Sequence, residues 1–363
     1  MLIGHGGDRY SLARELGVDP AKILDFSSNV SPLGPPHGLL KYLKARIAEI
    51  EYLPEVDSFE LRNALAHRYK ADPGDFFVTS GTTEWIFHLP QVLRPKKVII
   101  PLPTYSDYRD ASLLHKLSVE EIVVWKGEES GQIHNEFPIR LEERLTPGSL
   151  VFLCNPNNPT GSFIPPESLC RLIAKYPEVK WVVDESYAPF AAPDEKSSLL
   201  FQKKLDNLII LRSFSKIYGI PGLRLGYAMS SDPSAILAKA LKPWAVNRLA
   251  QLAGKYLLDE NGGYEESIRE FIKTEMARMF AEISRIPFLR PYQTNVNFML
   301  IEVLKPFTAG KVAESLRKKG ILIRDCSNFL GLSGEFIRIS LRQTRDNDIL
   351  LDELKALGAG SFE

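Results

Sequence analysis

The feature that most restricts what this chain can fold into is a recurring unit: a short, mostly apolar run, a loop of turn-forming residues, then a stretch of helical spacing. The runs are Phe76-Phe-Val-Thr79, Val98-Ile-Ile100, Leu150-Val-Phe-Leu153, Trp181-Val-Val183 and Leu208-Ile-Ile-Leu211. A strand without polar alternation is buried on both faces, and strands separated by helices pair in parallel. The spacing therefore predicts an α/β fold with a mostly parallel sheet between helices. In such a sheet the loops past the strands' carboxyl ends collect along one edge, where ligands bind.

The 363 residues, 44% of them apolar, exceed what one hydrophobic core usually holds. We read residues 46–245 as a large domain, and 1–45 with 246–363 as a smaller α+β domain with linking helices. After Pro243 the pattern gives helices over Asn247–Asp259 and Tyr264–Arg285, then a strand over Asn297–Val303 and a helix over Ala309–Lys319. Strands over Ile321–Arg324 and Phe336–Leu341 and a helix over Arg345–Leu357 complete it. The loop Ser27–Pro36, rich in Pro and Gly, is expected to wrap other elements rather than form a core.

Lys plus Arg equals Asp plus Glu, 45 each, so the overall charge suggests neither nucleic acid nor a membrane surface as partner. Any anion must be caught locally. Cys154, Cys170 and Cys326 are far apart and lack disulfide density or metal-ligand spacing, so we expect core thiols in a cytoplasmic protein and no metal. No apolar run approaches a membrane span, and the amino terminus carries no secretory pattern.

The chemistry lies in the loops. Ser80-Gly81-Thr82-Thr83 separates a strand from a helix, where free N–H groups and the helix dipole favour a phosphate. Tyr105 offers a flat face for a planar ring, and the Asn155–Gly161 turn presents the amide of Asn158. Asp184, at the mouth of a buried strand, needs a cation, and Tyr187 lies three residues on. Ser213-Phe-Ser215-Lys216 and Arg224 follow the last run. Taken singly, each has an ordinary reading: a glycine turn, a half-buried tyrosine, a helix-capping Asp, a solvated lysine. Together they form a phosphate cup, a stacking ring, an amide donor, a buried carboxylate and an amine, a set that matches pyridoxal 5′-phosphate.

The set Asn157-Asn158-Pro-Thr-Gly161, Asp184-Glu-Ser-Tyr187, Ser213-Phe-Ser-Lys216 and Arg224 resembles the fold-type I pyridoxal-phosphate enzymes of the class I/II aminotransferase superfamily. The resemblance implies a mostly parallel seven-stranded sheet and a homodimer. It also implies that Lys216 joins the cofactor's aldehyde, Asp184 pairs with its ring nitrogen, and Tyr187 and Asn158 bond its phenolic oxygen. Tyr105 would stack on the ring, Gly81, Thr82, Thr83, Ser213, Ser215 and Arg224 would hold its phosphate, and Arg338 would clamp a substrate carboxylate.

A narrower resemblance rests on His5-Gly-Gly, Asp25-Phe-Ser-Ser-Asn29, Pro243-Trp-Ala-Val-Asn247 and Leu322-Ile-Arg324. These segments are similar to the L-threonine O-3-phosphate decarboxylases of cobalamin biosynthesis, and in part to the histidinol-phosphate aminotransferases. Both families take a phosphorylated amino compound, which makes Arg324, with His5, Asn29 and Arg342, the expected substrate-phosphate residues. One departure stands out. Relatives carry Tyr directly before Pro where this chain has Tyr52-Leu53-Pro54, so Tyr52 is the candidate for the cross-subunit contact to the cofactor phosphate. The motifs suit decarboxylation and transamination alike.

Overall fold

The computed structural model describes residues 6–125, 137–202, 204–232, 236–260 and 262–359. Its centre is a seven-stranded sheet of β1 (Phe76–Thr79), β2 (Lys97–Leu102), β3 (Val119–Val123), β4 (Ser149–Cys154), β5 (Lys180–Asp184), β6 (Leu208–Ser213) and β7 (Gly226–Met229), in the spatial order β1-β7-β6-β5-β4-β2-β3. Only β7 runs antiparallel to its neighbours; β2 to β6 pair in parallel. Every residue of β1 and β4 is buried, as unbroken apolar runs require. Trp85, Phe152 and Trp181 fill the layers between sheet and helices.

Two strands carry no apolar-run signal. Strand β3, Val-Glu-Glu-Ile-Val, lies at the sheet's edge, where half-exposed Glu120 and Glu121 pair with Lys97 at 2.7 Å and Arg109 at 3.1 Å. Strand β7 is only Gly-Tyr-Ala-Met. The helix after β1 begins at Thr82, inside the turn, because Gly81, with φ of +86°, turns the chain directly out of β1.

A second, antiparallel sheet has the order β10-β11-β9-β8, formed by β8 (Leu289–Pro291), β9 (Phe298–Val303), β10 (Arg324–Asp325) and β11 (Phe336–Ser340). The strand expected over Ile321–Arg324 divides. Ile321 and Leu322 pair in parallel with Leu24 and Asp25, whereas Arg324 and Asp325 pair with β11. The division follows from the segment after Asp25: Phe26 N–H donates to Leu322 and its carbonyl accepts from Ser340 N–H, so that segment lies between the two partners. No helix among the described residues is long and apolar enough to cross a membrane.

Candidate active site

Parallel strands bring the ends of β1, β2, β4, β5 and β6 to one edge, and the reversed β7 brings Arg224, just before its first residue, to the same edge. The loops there form a cavity lined by Gly81, Thr82, Thr83, Tyr105, Asn158, Asp184, Tyr187, Ser213, Ser215, Lys216 and Arg224. Residues as distant in sequence as Gly81 and Arg224 thus share one wall. A second cavity adjoins it through Tyr105, Asn158, Tyr187 and Lys216 and reaches Asn29, Arg324 and Arg338.

The phosphate-cup candidates have backbone reasons to be where they are. At Gly81 a Cβ would stand 2.7 Å from Nη2 of Arg224, so only glycine leaves the space between the turn and that guanidinium open. Ser213 caps the short helix Phe214–Ile217 by accepting from Ser215 N–H at 3.2 Å. The Ser215 hydroxyl, by contrast, is buried with no hydrogen-bond partner, and it borders the cavity. An unsatisfied donor beside a cationic, N–H-rich cup fits an anionic phosphoryl group.

Asp184 is buried, and burial raises its carboxyl above the ordinary value while bonds from Ser186 N–H and the Tyr108 hydroxyl, both 2.9 Å, oppose that rise. Tyr108 was absent from the expectations because a tyrosine inside a helix, stacked at 5.2 Å on Phe152, has no sequence signature beyond core packing. Across the cavity, burial first, then Arg338 and Arg224, lowers the Lys216 amine to about 8. A lysine so placed has a far larger neutral, nucleophilic fraction near neutral pH than one in water.

Arg338 is buried, donating from Nη1 to Asn158 Oδ1 and from Nη2 to the Ser27 carbonyl at 2.7 Å; its Nε is buried without a partner. Arg324 stands directly opposite it across antiparallel strands and lies over the Phe329 ring at 4.9 Å. Burial and the neighbouring Arg338 both lower Arg324 from its ordinary value. Asn29 reaches the same cavity, but its amide is engaged by donation to the Tyr187 hydroxyl at 3.2 Å and acceptance from Ser340 at 2.7 Å. It thus steadies Tyr187 while bordering the cavity.

Two expected residues are not brought to either cavity. Arg342 lines neither and bonds through its backbone N–H to Asn347 at 2.9 Å, because β11 ends at Ser340 and the chain there leaves the sheet for the helix that begins at Thr344. Tyr52 is 69% exposed on the surface of this chain. His5 lies outside the described residues, although its neighbour Gly6 borders the second cavity.

The comparisons with known proteins agree with this geometry. The family described as aminotransferase class I and II matches residues 21–354. The chain is 31% identical to the threonine-phosphate decarboxylase of Salmonella typhimurium, over 98% of this chain and 97% of that protein. It is 26% identical to a histidinol-phosphate aminotransferase of Methanococcus maripaludis, over 95% and 93%. The crystal structure of L-threonine-O-3-phosphate decarboxylase from Porphyromonas gingivalis superposes with a TM-score of 0.82 at 28% identity, covering 93% of this chain and all of that one. Since the match spans every wall of the first cavity and both sheets, the chain belongs to the class I and II aminotransferase family, with the seven-stranded fold-type I architecture.

Proposed function

We propose that the chain is a pyridoxal 5′-phosphate-dependent carboxy-lyase that converts L-threonine O-3-phosphate to (R)-1-aminopropan-2-yl phosphate in cobalamin biosynthesis. The observation that carries this reading is the Arg324–Arg338 pair, two cations directly opposite each other in the cavity beside Lys216. Like charges facing across strands are destabilising unless an anion lies between them. A substrate with a carboxylate and a phosphate on neighbouring carbons supplies two. Relatives named for this reaction support it.

The residues fit the cofactor: Gly81–Thr83, Ser213, the orphan Ser215 hydroxyl and Arg224 would hold its phosphate, and Asp184 its ring nitrogen. When bound, the cofactor supplies a conjugated ring that accepts the electron pair left at the substrate's α-carbon. Asp184, held by Tyr108 and Ser186, keeps a proton on that nitrogen. Lys216, through its neutral amine, would hold the cofactor at its aldehyde carbon and, once the substrate's amine has displaced it, would carry a proton to the α-carbon. Arg338, fixed by Asn158 and Ser27, has an unpartnered Nε for the carboxylate, and Arg324 takes the phosphate. Arg338 at the carboxylate and Arg324 at the phosphate would fix the substrate at both ends and so set which bond at its α-carbon is placed to break.

A second reading has support from the relatives named histidinol-phosphate aminotransferase. Turning a substrate's α-hydrogen perpendicular would let Lys216 remove that proton, and the same walls would serve amino transfer. To separate the two, cofactor-loaded protein is incubated with L-threonine O-3-phosphate and no keto acid. Carbon dioxide release, lost in Lys216→Ala and reduced at least about 100-fold in Arg324→Ala, is expected. Glutamate formation from histidinol phosphate and 2-oxoglutarate, with no carbon dioxide from the first substrate, would overturn the decarboxylase reading.

The reading includes a cytoplasmic homodimer. Leu40, Ile47, Ile50, Tyr52, Leu53, Val56 and Phe59 are all more than half exposed along one short stretch, an apolar surface of the kind that a second copy covers.

A further inference from the structure

Directly behind the cavity lies a buried ionic cluster that plays no part in the chemistry above. Strands β5 and β6 are parallel neighbours, with Asp184 opposite Leu211 and Glu185 N–H donating to the Leu211 carbonyl at 2.9 Å. Side chains alternate along the strand ends, so Asp184 and Ser213 border the cavity while the residues beside them, Glu185 and Arg212, point to the far face. There Arg212 bonds through Nη2 to Asp194, and its Nη1 lies 3.7 Å from Glu185. Glu185 in turn accepts from Ser198 Oγ at 2.5 Å and Leu199 N–H at 2.7 Å. Asp194 is further held by the Tyr69 hydroxyl at 3.2 Å and by Arg68 at 3.3 Å.

All three members are almost wholly buried, at 4%, 0% and 4% exposure for Arg212, Glu185 and Asp194. Burying such charges costs desolvation that their mutual attraction often fails to recover, and apolar side chains of similar size commonly stabilise a fold as well or better. What a bridged pair adds is a fixed arrangement. We propose that Arg212 is a positioning residue: by bridging Glu185 and Asp194 it locks the ends of β5 and β6 together, and so sets where Asp184 and Lys216 stand in the cavity. This rests on the reading of Lys216 as the reacting amine. Burial pushes the Glu185 carboxyl up to about 7, a sign of how little solvent reaches the cluster.

The test uses cofactor-free protein, so it does not depend on which reaction the enzyme performs. The pH midpoint for acetylation of Lys216 is followed by mass spectrometry in wild type, in Arg212→Lys and in the charge-balanced double variant Glu185→Leu/Arg212→Met. If the bridge positions the site, the strand ends loosen without it, water reaches the amine, and the midpoint rises by about one pH unit in the double variant, less in Arg212→Lys. Unchanged midpoints in folded variants would overturn the proposal. Should the double variant fail to fold, Arg212→Lys decides alone, and its failure to fold would mark a purely structural cluster and overturn the proposal too. Wild-type protein that takes up no pyridoxal 5′-phosphate would defeat the functional reading while leaving these midpoints to be compared.

Discussion

Lys216 has two costs that a surface lysine lacks: its amine is desolvated in the cavity wall, and Arg338 and Arg224 repel its charged form. Folded, it releases its proton at about 8; unfolded, near 10.5. Between those values the unfolded chain binds more protons, so this group makes stability rise with pH, and below about 8 its full penalty, on the order of 3 kcal/mol, applies. Cofactor-free Lys216→Met should therefore melt above wild type at pH 7, by several degrees, with the gap closing as pH climbs from 8 towards 10.5; scanning calorimetry at both ends checks it. Gly81 makes an independent prediction. An alanine there combines a left-handed φ with a Cβ 2.7 Å from Arg224, so Gly81→Ala should weaken cofactor affinity at least about 10-fold, measured by equilibrium titration of the visible absorbance. These two residues were legible from chain order alone, because a glycine between strand and helix and a lysine after a strand are local patterns. Tyr108 was not, since its bond to Asp184 joins a helix to a strand 76 residues away.

At the scale of elements, the loop after β4 is clamped to the second sheet. Gly161 has φ of +70°, and a Cβ on it would fall 2.0 Å from the Thr294 hydroxyl and 2.8 Å from Thr294 Cβ, just ahead of β9. Gly161→Ala should cost about 2–4 kcal/mol of stability, whereas Gly17→Ala, with a similar φ but nothing within 4 Å, should cost only about 1. Equal shifts of the two denaturation midpoints would show that backbone conformation, not the clamp, is at stake. The segment after Asp25 does similar joining work: Asn29 ties Tyr187 to Ser340, and Ser31 N–H donates to the Lys216 carbonyl at 2.8 Å. Its Pro and Gly content announced a wrapping loop, but not that Asn29 would turn inward. The division of the Ile321–Arg324 run was equally hidden, because an extended run does not reveal which partner each half will meet.

For the whole molecule, the exposed apolar stretch from Leu40 to Phe59 leads to the prediction that Ile50→Glu/Leu53→Glu sediments as a monomer where wild type sediments as a dimer. A wild-type monomer at micromolar concentration would refute the proposed homodimer. By itself the sequence determined the layered α/β class and which side chains carry chemistry, because burial on both faces and loop position at a strand's end are properties of short segments. It could not order the strands, reverse β7, or choose among three arginines at the substrate end. Tertiary pairing decided those. Register across β10 and β11 set Arg324 opposite Arg338, and the pairing stopped at Ser340, short of Arg342, since the register and extent of a strand are fixed by partners that lie far along the chain.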